Sequence, residues 1–331
     1  MNLDTNPTVK TLGEYAYQAM KKHFSKIIKW EKPVKKDEDP EALHQMRVGM
    51  RRLRTAISRF EIVLNLPKPA SDKNIGKIAR RLGNLRDLDV LKQNLETLYQ
   101  PNLPPKEQKS LQKAFSALAK QREDALTKTL TTLKDDAYKS FKQTLEDWLE
   151  TPTYKPLASI PIQQVLPDLL LPEVSSFLLH PGLLVGTHLL DSQVKIYTDS
   201  TPEDIEKQLT THGEIIHDLR KQAKRMRYQM ELFTELYGES YSAYIADIKS
   251  IQDILGNIQD SVVMDEWLRD VFKSEIQTKL PTFASLLAAN RVQWWQQWQP
   301  LQQQYLQAEN RQNFHLTILH PLECEILNPV E

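Results

Sequence analysis

Two short runs of this sequence carry cations in a matched pattern. The first is His44-Gln45-Met46-Arg47 followed by Arg51-Arg52-Leu53-Arg54. The second is His217-Asp218-Leu219-Arg220 followed by Lys224-Arg225-Met226-Arg227. At about 100° of turn per helical residue, His44, Arg47, Arg51 and Arg54 share one face, and so do His217, Arg220, Lys224 and Arg227. The apolar residues Met46, Met50, Leu53 and Ile57 lie about 120° round the first helix, and Leu219, Met226 and Met230 follow in the second. No carboxylate between Glu41 and Glu61 neutralises the first stripe, and only Asp218 enters the second. Like charges three and four residues apart cost an isolated helix roughly a few tenths of a kcal/mol per pair. A stripe that bears this cost twice needs water or an anion opposite it. Arginine forks and lysine ammoniums suit phosphate oxygens, and histidine adds a donor. One such stripe reads first as a solvated face paired with neighbouring helices. Two copies shift the reading to a binding face.

The copies keep a constant offset of 173 residues, and a second motif keeps it too. Gly83-Asn84-Leu85 with Asp87 and Val90 recurs as Gly256-Asn257-Ile258 with Asp260 and Val263. A duplicated helical unit is the simple reading: one domain over 1–331, with repeats at 9–150 and 173–315, a Pro-rich linker at 151–172 and a tail at 316–331. Two four-helix bundles about an approximate two-fold are expected, with the basic stripes in one shared groove. Lys73, Lys77 and Arg80 share a face with Asn84 and Asp87 and extend the candidate set, as does Lys221 in the second run. The second copy keeps Lys249 but has Ser250 and Asp253 where the first has Lys77 and Arg80, so it is less basic. Asp87 and Asp260 are placed to orient an arginine, although an ordinary ion pair between helices accounts for them equally. Gly83 and Gly256 fall towards the apolar side, where close helix approach is expected. Lys22, Lys26 and Lys29 form one more basic face, read as solvated.

The elements that must carry these residues are helices, because almost every long segment has a helical period and none alternates like a half-buried strand. Helices are expected near 11–30, 40–64, 74–99 and 107–150, the last broken at Asp135-Asp136. Further helices are expected near 173–194, 202–210, 212–238, 241–273 and 281–313. Asp39 before Pro40 is a strong helix start. The fold class is all-α. Nine glycines against nineteen prolines argue against turn-rich β folds and Gly-rich nucleotide loops. Forty-three basic and forty-three acidic residues cancel, which excludes a generally basic protein but not local basic patches. The single cysteine, Cys324, excludes an internal disulfide framework and fits a reducing, cytoplasmic setting. Met1 to Lys10 is polar, unlike a secretory signal. The most apolar stretch, Leu169 to Val185, is interrupted by Pro172, Glu173, His180 and Pro181, so no membrane contact is expected.

No histidine pair has metal-ligand spacing, and histidines flanked by arginines repel cations, so neither metal nor cofactor is expected. Nucleophile elbows and Walker loops are absent. Trp294, Trp295 and Trp298 read as bundle core before base-stacking platforms. The paired His-x2-Arg-x3-Arg/Lys-Arg-x-Arg runs, the second continuing to Tyr228, resemble the CHAD family of conserved-histidine α-helical domains, as does Arg86-Asp87-Leu88-Asp89-Val90. The resemblance covers about residues 10–315. It implies two helical bundles around a basic groove that binds inorganic polyphosphate, with a role on polyphosphate granules. Carried over by position, it implicates His44, Arg47, Arg51, Arg52 and Arg54, then His217, Arg220, Lys224, Arg225 and Arg227. A triphosphatase signature of the kind that accompanies such domains is missing, Glu323-Cys324-Glu325 lacking its lysine, so a stand-alone, non-catalytic domain is expected. A nucleic-acid-binding helical protein is the alternative, weakened by zero net charge. An enzyme of polyphosphate metabolism, with His44 or His217 as phosphoryl acceptor or acid/base, is the other.

Overall fold

Helix starts are written in short polar motifs. Thr11 and Glu14 close a capping box at the head of α1 (Leu12–Lys36), and Asp39 accepts the Glu41 amide with Pro40 at the first position of α2 (Pro40–Arg59). A computed structural model describes residues 10–322 except 192, 198, 199 and 274. The N-terminal residues up to 9, Cys324 and the Glu323-Cys324-Glu325 motif lie outside the described residues. The chain continues through α3 (Asp72–Asn94), α4 (Pro105–Thr132), α5 (Asp136–Glu150) and α6 (Ile162–Leu178). Then come a short hairpin and α7 (Pro202–Met230), α8 (Glu239–Phe272), α9 (Ile276–Lys279), α10 (Pro281–Leu306) and α11 (Ala308–Leu319). The protein is all-α apart from that hairpin. Among the described residues no helix is long and apolar enough to cross a membrane.

Several boundaries differ from those expected. The segment 151–172 is not an open linker, because α6 begins inside it with Pro167 and Pro172 within the helix. Its first part is tied to the N-terminal half: Leu12 N–H donates to Ile160 O at 2.8 Å and Lys155 N–H to Val63 O at 2.8 Å. The helix expected at 173–194 stops at Leu178, and β1 (Thr187–Leu190) pairs antiparallel with β2 (Gln193–Ile196). Strands of four residues are too short to show alternation, which is why periodicity passes over them. No break interrupts α7 at position 211. The expected helix at 281–313 is two, divided at Gln307.

Packing does not divide at the linker. The main apolar core draws Leu12, Met46 and Leu53 from the first half together with Leu219, Met226 and Leu255 from the second. A smaller cluster joins Leu91, Leu95 and Leu111 to Met264, Leu268 and Phe283. Phe60 and Phe233, also 173 positions apart, meet edge to face at 5.8 Å and are fully buried. Tyr15 stacks on Phe233 at 5.7 Å. The C-terminal ends of α2 and α7 are therefore pinned together. Glu107 of α4, 5% exposed, accepts the amides of Thr282 and Phe283 at 3.0 and 3.1 Å and caps α10 across the second cluster.

Glu173 of α6 fastens the same crossing. It accepts from Arg59 of α2 at 3.0 Å and from Arg225 of α7 at 2.9 Å, with its own side chain 10% exposed. Removing a buried carboxylate between two guanidiniums leaves uncompensated charge. Glu173→Ala is therefore expected to cost about 3 kcal/mol, read as a fall in the urea midpoint at unchanged slope. A loss below about 0.5 kcal/mol, the level of an ordinary surface change, would show that the clamp is incidental.

Candidate functional site

The two cation stripes meet where α2 and α7 cross. Lys224 of α7 is half-buried and lies in the field of Arg51 and Arg47 from α2 and of Arg220 and Arg227 from its own helix. No hydrogen bond or ion pair reaches its ammonium from the described residues. Burial, then these four guanidiniums, pulls its pKa down to about 7. Arg51 spans the crossing: it donates to the phenol oxygen of Tyr228 at 2.6 Å, while Arg227 lies over the same ring at 4.6 Å.

Glycines set the arginines. A Cβ on Gly83 of α3 would stand 2.6 Å from Nη1 of Arg47, and one on Gly256 of α8 would stand 3.0 Å from Nε of Arg220. Each guanidinium thus lies in a notch across the neighbouring helix. Asp87 then faces Arg47 at 3.6 Å, and Asp260 faces Arg220 at 3.7 Å. The offset of 173 survives as a repeated three-residue contact. It corrects the expectation for the glycines, whose close neighbour is a guanidinium and not an apolar helix. Gly76 seats Arg54 in the same manner, at 3.0 Å from its central carbon. Burial raises the pKa of Asp260 against the opposing pull of Arg220, and the field of Asp87 adds to the rise.

Donors around the cluster are left over. Arg47 Nη1, Arg220 Nε and His217 Nδ1 are buried without a hydrogen-bond partner. Burial lowers the pKa of His44, and Arg86, Arg51 and Arg47 lower it further. Burial likewise lowers that of His217, with Lys221 and Arg220 adding to it. Both histidines are therefore biased towards the neutral form, and negative charge arriving beside them would favour protonation. Two clefts are lined by residues adjacent in sequence or contact to the cluster. One of about 630 Å³ is walled by Arg52 and Tyr228, and one of about 1120 Å³ by His217 and Lys221.

Other expected residues sit apart from this centre. Arg52 pairs with Glu231 at 3.0 Å, Arg54 with Asp72 at 2.8 Å, and Arg225 with Glu173. Lys221 pairs with Asp218 at 2.7 Å, and Asp218 also holds His180 at 3.2 Å. Lys73, Lys77 and Arg80 are exposed on α3 without ion-pair partners among the described residues. Trp295 and Trp298 are core, at 1% and 0% exposure. Two members were missed. Arg86 acts on both His44 and Arg47, and its place immediately before Asp87 was the available signal. Tyr228 was visible as a departure from the repeat, since Thr55 stands at the matching position.

A family model for the CHAD domain matches residues 18–269, a span that contains both stripes and both aspartates. The chain belongs to the CHAD family. The fold agrees: the crystal structure of the CHAD domain from the plant Ricinus communis superposes with a TM-score of 0.59 at 23% identity, covering 97% of this chain and 96% of that one. PptA from Streptomyces chartreusis superposes with a TM-score of 0.56 at 14% identity, over 92% and 99% of the two chains. At these identities the likeness to both is one of fold. No curated protein matches the CHAD chain in sequence.

Lys224 gives the ligand-free chain a signed pH dependence. Its folded pKa of about 7 lies below the ordinary 10.5, so between those values the unfolded chain binds more protons. Stability contributed here rises with pH across that window. The melting temperature of wild type should climb from pH 7 to about pH 9, and Lys224→Met should flatten the climb and raise the pH 7 value by a few degrees. Equal slopes in both proteins would show that Lys224 is not the strained cation.

Proposed function

We propose that this CHAD chain binds inorganic polyphosphate, without catalysing its turnover, through the cation cluster between α2 and α7. The observation that carries the reading is Lys224 among Arg47, Arg51, Arg220 and Arg227 with no carboxylate of its own. Like charges held this close raise the energy of the free protein, and a polyanion relieves all of them at once. Arginines seated in glycine notches are preorganised, so binding loses less side-chain entropy. Asp87 and Asp260 serve as positioning residues that hold Arg47 and Arg220 in their seats. His44, His217 and Lys224 take up protons as the polyanion enters. Family membership supports the same reading, and granule association follows as its cellular expression.

The cluster contains no aromatic face open to stack bases: the Tyr228 ring is already occupied by Arg227. This favours a bare phosphate chain over single-stranded nucleic acid, whose binding leans on stacking. Binding of polyphosphate in titration, persisting against an excess of single-stranded RNA, is the expected result. Release of orthophosphate by the pure protein would replace binding with catalysis as the function.

Arg51→Glu with Lys224→Glu removes two cations and adds two anions at the crossing. The double variant should lose several kcal/mol of polyphosphate affinity, roughly three decades or more, while its helices persist because both positions lie off the apolar stripe. Unchanged affinity in a folded double variant would refute the cluster as the site. A second expectation concerns pH. Because Lys224, with a pKa of about 7, must be charged to pair with phosphate, wild-type affinity should weaken as pH rises through that value. Isothermal titration in two buffers of different ionisation enthalpy should register proton uptake. Proton release on binding would contradict the assignment.

A further inference from the structure

The lysines of α1 were expected to be a solvated face, but their setting is more specific. A Cβ on Gly49 of α2 would stand 3.4 Å from Cγ of Lys26, so that side chain lies across α2 itself. Lys22 and Arg52 wall the same cleft of about 630 Å³. Arg52 follows Arg51, which belongs to the central cluster. A row of cations therefore runs from the cluster over α2 and along α1.

We propose that Lys22, Lys26 and Lys29, entered past Arg52, form a second polyanion track that receives the part of a polyphosphate chain too long for the central cluster. The inference rests on the function proposed above and deepens it by giving long chains an exit route. Lys22 and Lys26 have no ion pair among the described residues, and Lys29 lies over the Trp30 ring at 5.8 Å. Burial lowers the pKa of Lys26 and Arg52 adds repulsion, against the opposing pull of Glu41, with Lys29 adding the smallest contribution. His23, 6% exposed beneath this row, is held neutral with a pKa of about 4 by burial and by Arg52, Lys22 and Lys26. Two carboxylates lining the cleft are already engaged, Glu231 with Arg52 and Arg227 and Glu235 with Lys10, and Glu41 accepts from Gln45.

The track is one-sided. Helix α6 precedes α7 as α1 precedes α2, yet Ile162–Leu178 contains no lysine or arginine, whereas α1 carries Lys21, Lys22, Lys26, Lys29, Lys32, Lys35 and Lys36. The acids of α6 are Asp168, which is exposed, and Glu173, which is buried and already paired with Arg59 and Arg225. Between these two matching sides, the field favours the α1 side.

The test is Lys22→Gln/Lys26→Gln/Lys29→Gln, which keeps helix propensity close to that of lysine. Tripolyphosphate and long-chain polyphosphate are titrated against wild type and variant at two salt concentrations, with circular dichroism as the check on folding. Tripolyphosphate affinity should stay within about twofold, since the central cluster is intact, while long-chain affinity should fall by about tenfold or more. The log–log salt slope for the long chain should shrink by about two, at roughly 0.7 per lost contact on the scale of single-stranded nucleic acid. Unchanged long-chain affinity and slope would overturn the track. Equal loss of both ligands would overturn it as well, by making α1 the primary site. If wild type binds neither polyphosphate, the central reading itself has failed, a result distinct from either of these.

Discussion

Like-charge repulsion between α2 and α7 is the constraint on which the rest of the arrangement depends. Arg47, Arg51, Arg220, Lys224 and Arg227 come from two helices, and burial together with mutual repulsion is strong enough to bring the pKa of an ammonium down to about 7. Left alone, such helices would part. They are held by apolar packing just beyond the charges, where Phe60 and Phe233 meet and Tyr15 covers them. Burying aromatic side chains of this size contributes about 2–3 kcal/mol each.

Carboxylates complete the balance without cancelling the field. Glu173 and Glu231 sit on the outer sides of the crossing, pairing Arg59, Arg225, Arg52 and Arg227. Asp87 and Asp260 take one arginine each at longer range. None of the four forms an ion pair with Lys224, although Asp260 lies within its field. The acids fix where the guanidiniums point, and the centre keeps its positive potential. This reconciles a formal net charge of zero with a strongly basic site, because the compensating acids are placed at its margins.

Much of this was legible in the residues, for a physical reason. Cations on one helical face at i, i+3 and i+4 are costly, so their repetition at a fixed offset reports a function more directly than hydrophobic pattern does. The same period identified most helices and the all-α class. Other features are set by tertiary partners that periodicity does not report. Arg52 and Arg225 belong to the same runs as Arg51 and Lys224, yet they turn about 100° along the helix and find Glu231 and Glu173 instead. The glycines looked apolar because their positions adjoin the core side. Only the long reach of an arginine across the neighbouring helix shows what they accommodate. Pro167 and Pro172 read as linker residues but sit inside α6, whose leucines bury into the main core and override local preference.

On the function proposed above, a polymer would suit this site better than a small anion. A single orthophosphate touches at most a few of the cations and leaves the others repelling one another, so it relieves little of the strain. A chain of phosphates would place charge beside each guanidinium in turn, and every later unit would bind from high effective concentration once the first was held. Counterions released along the chain add to the gain and make it sensitive to salt. The histidines sharpen this preference. His44 and His217 are biased towards the neutral form by burial and by neighbouring cations, so negative charge arriving beside them would favour protonation. The protein's own positive charge would thus grow with occupancy, a response that a multivalent ligand can exploit and a small anion cannot.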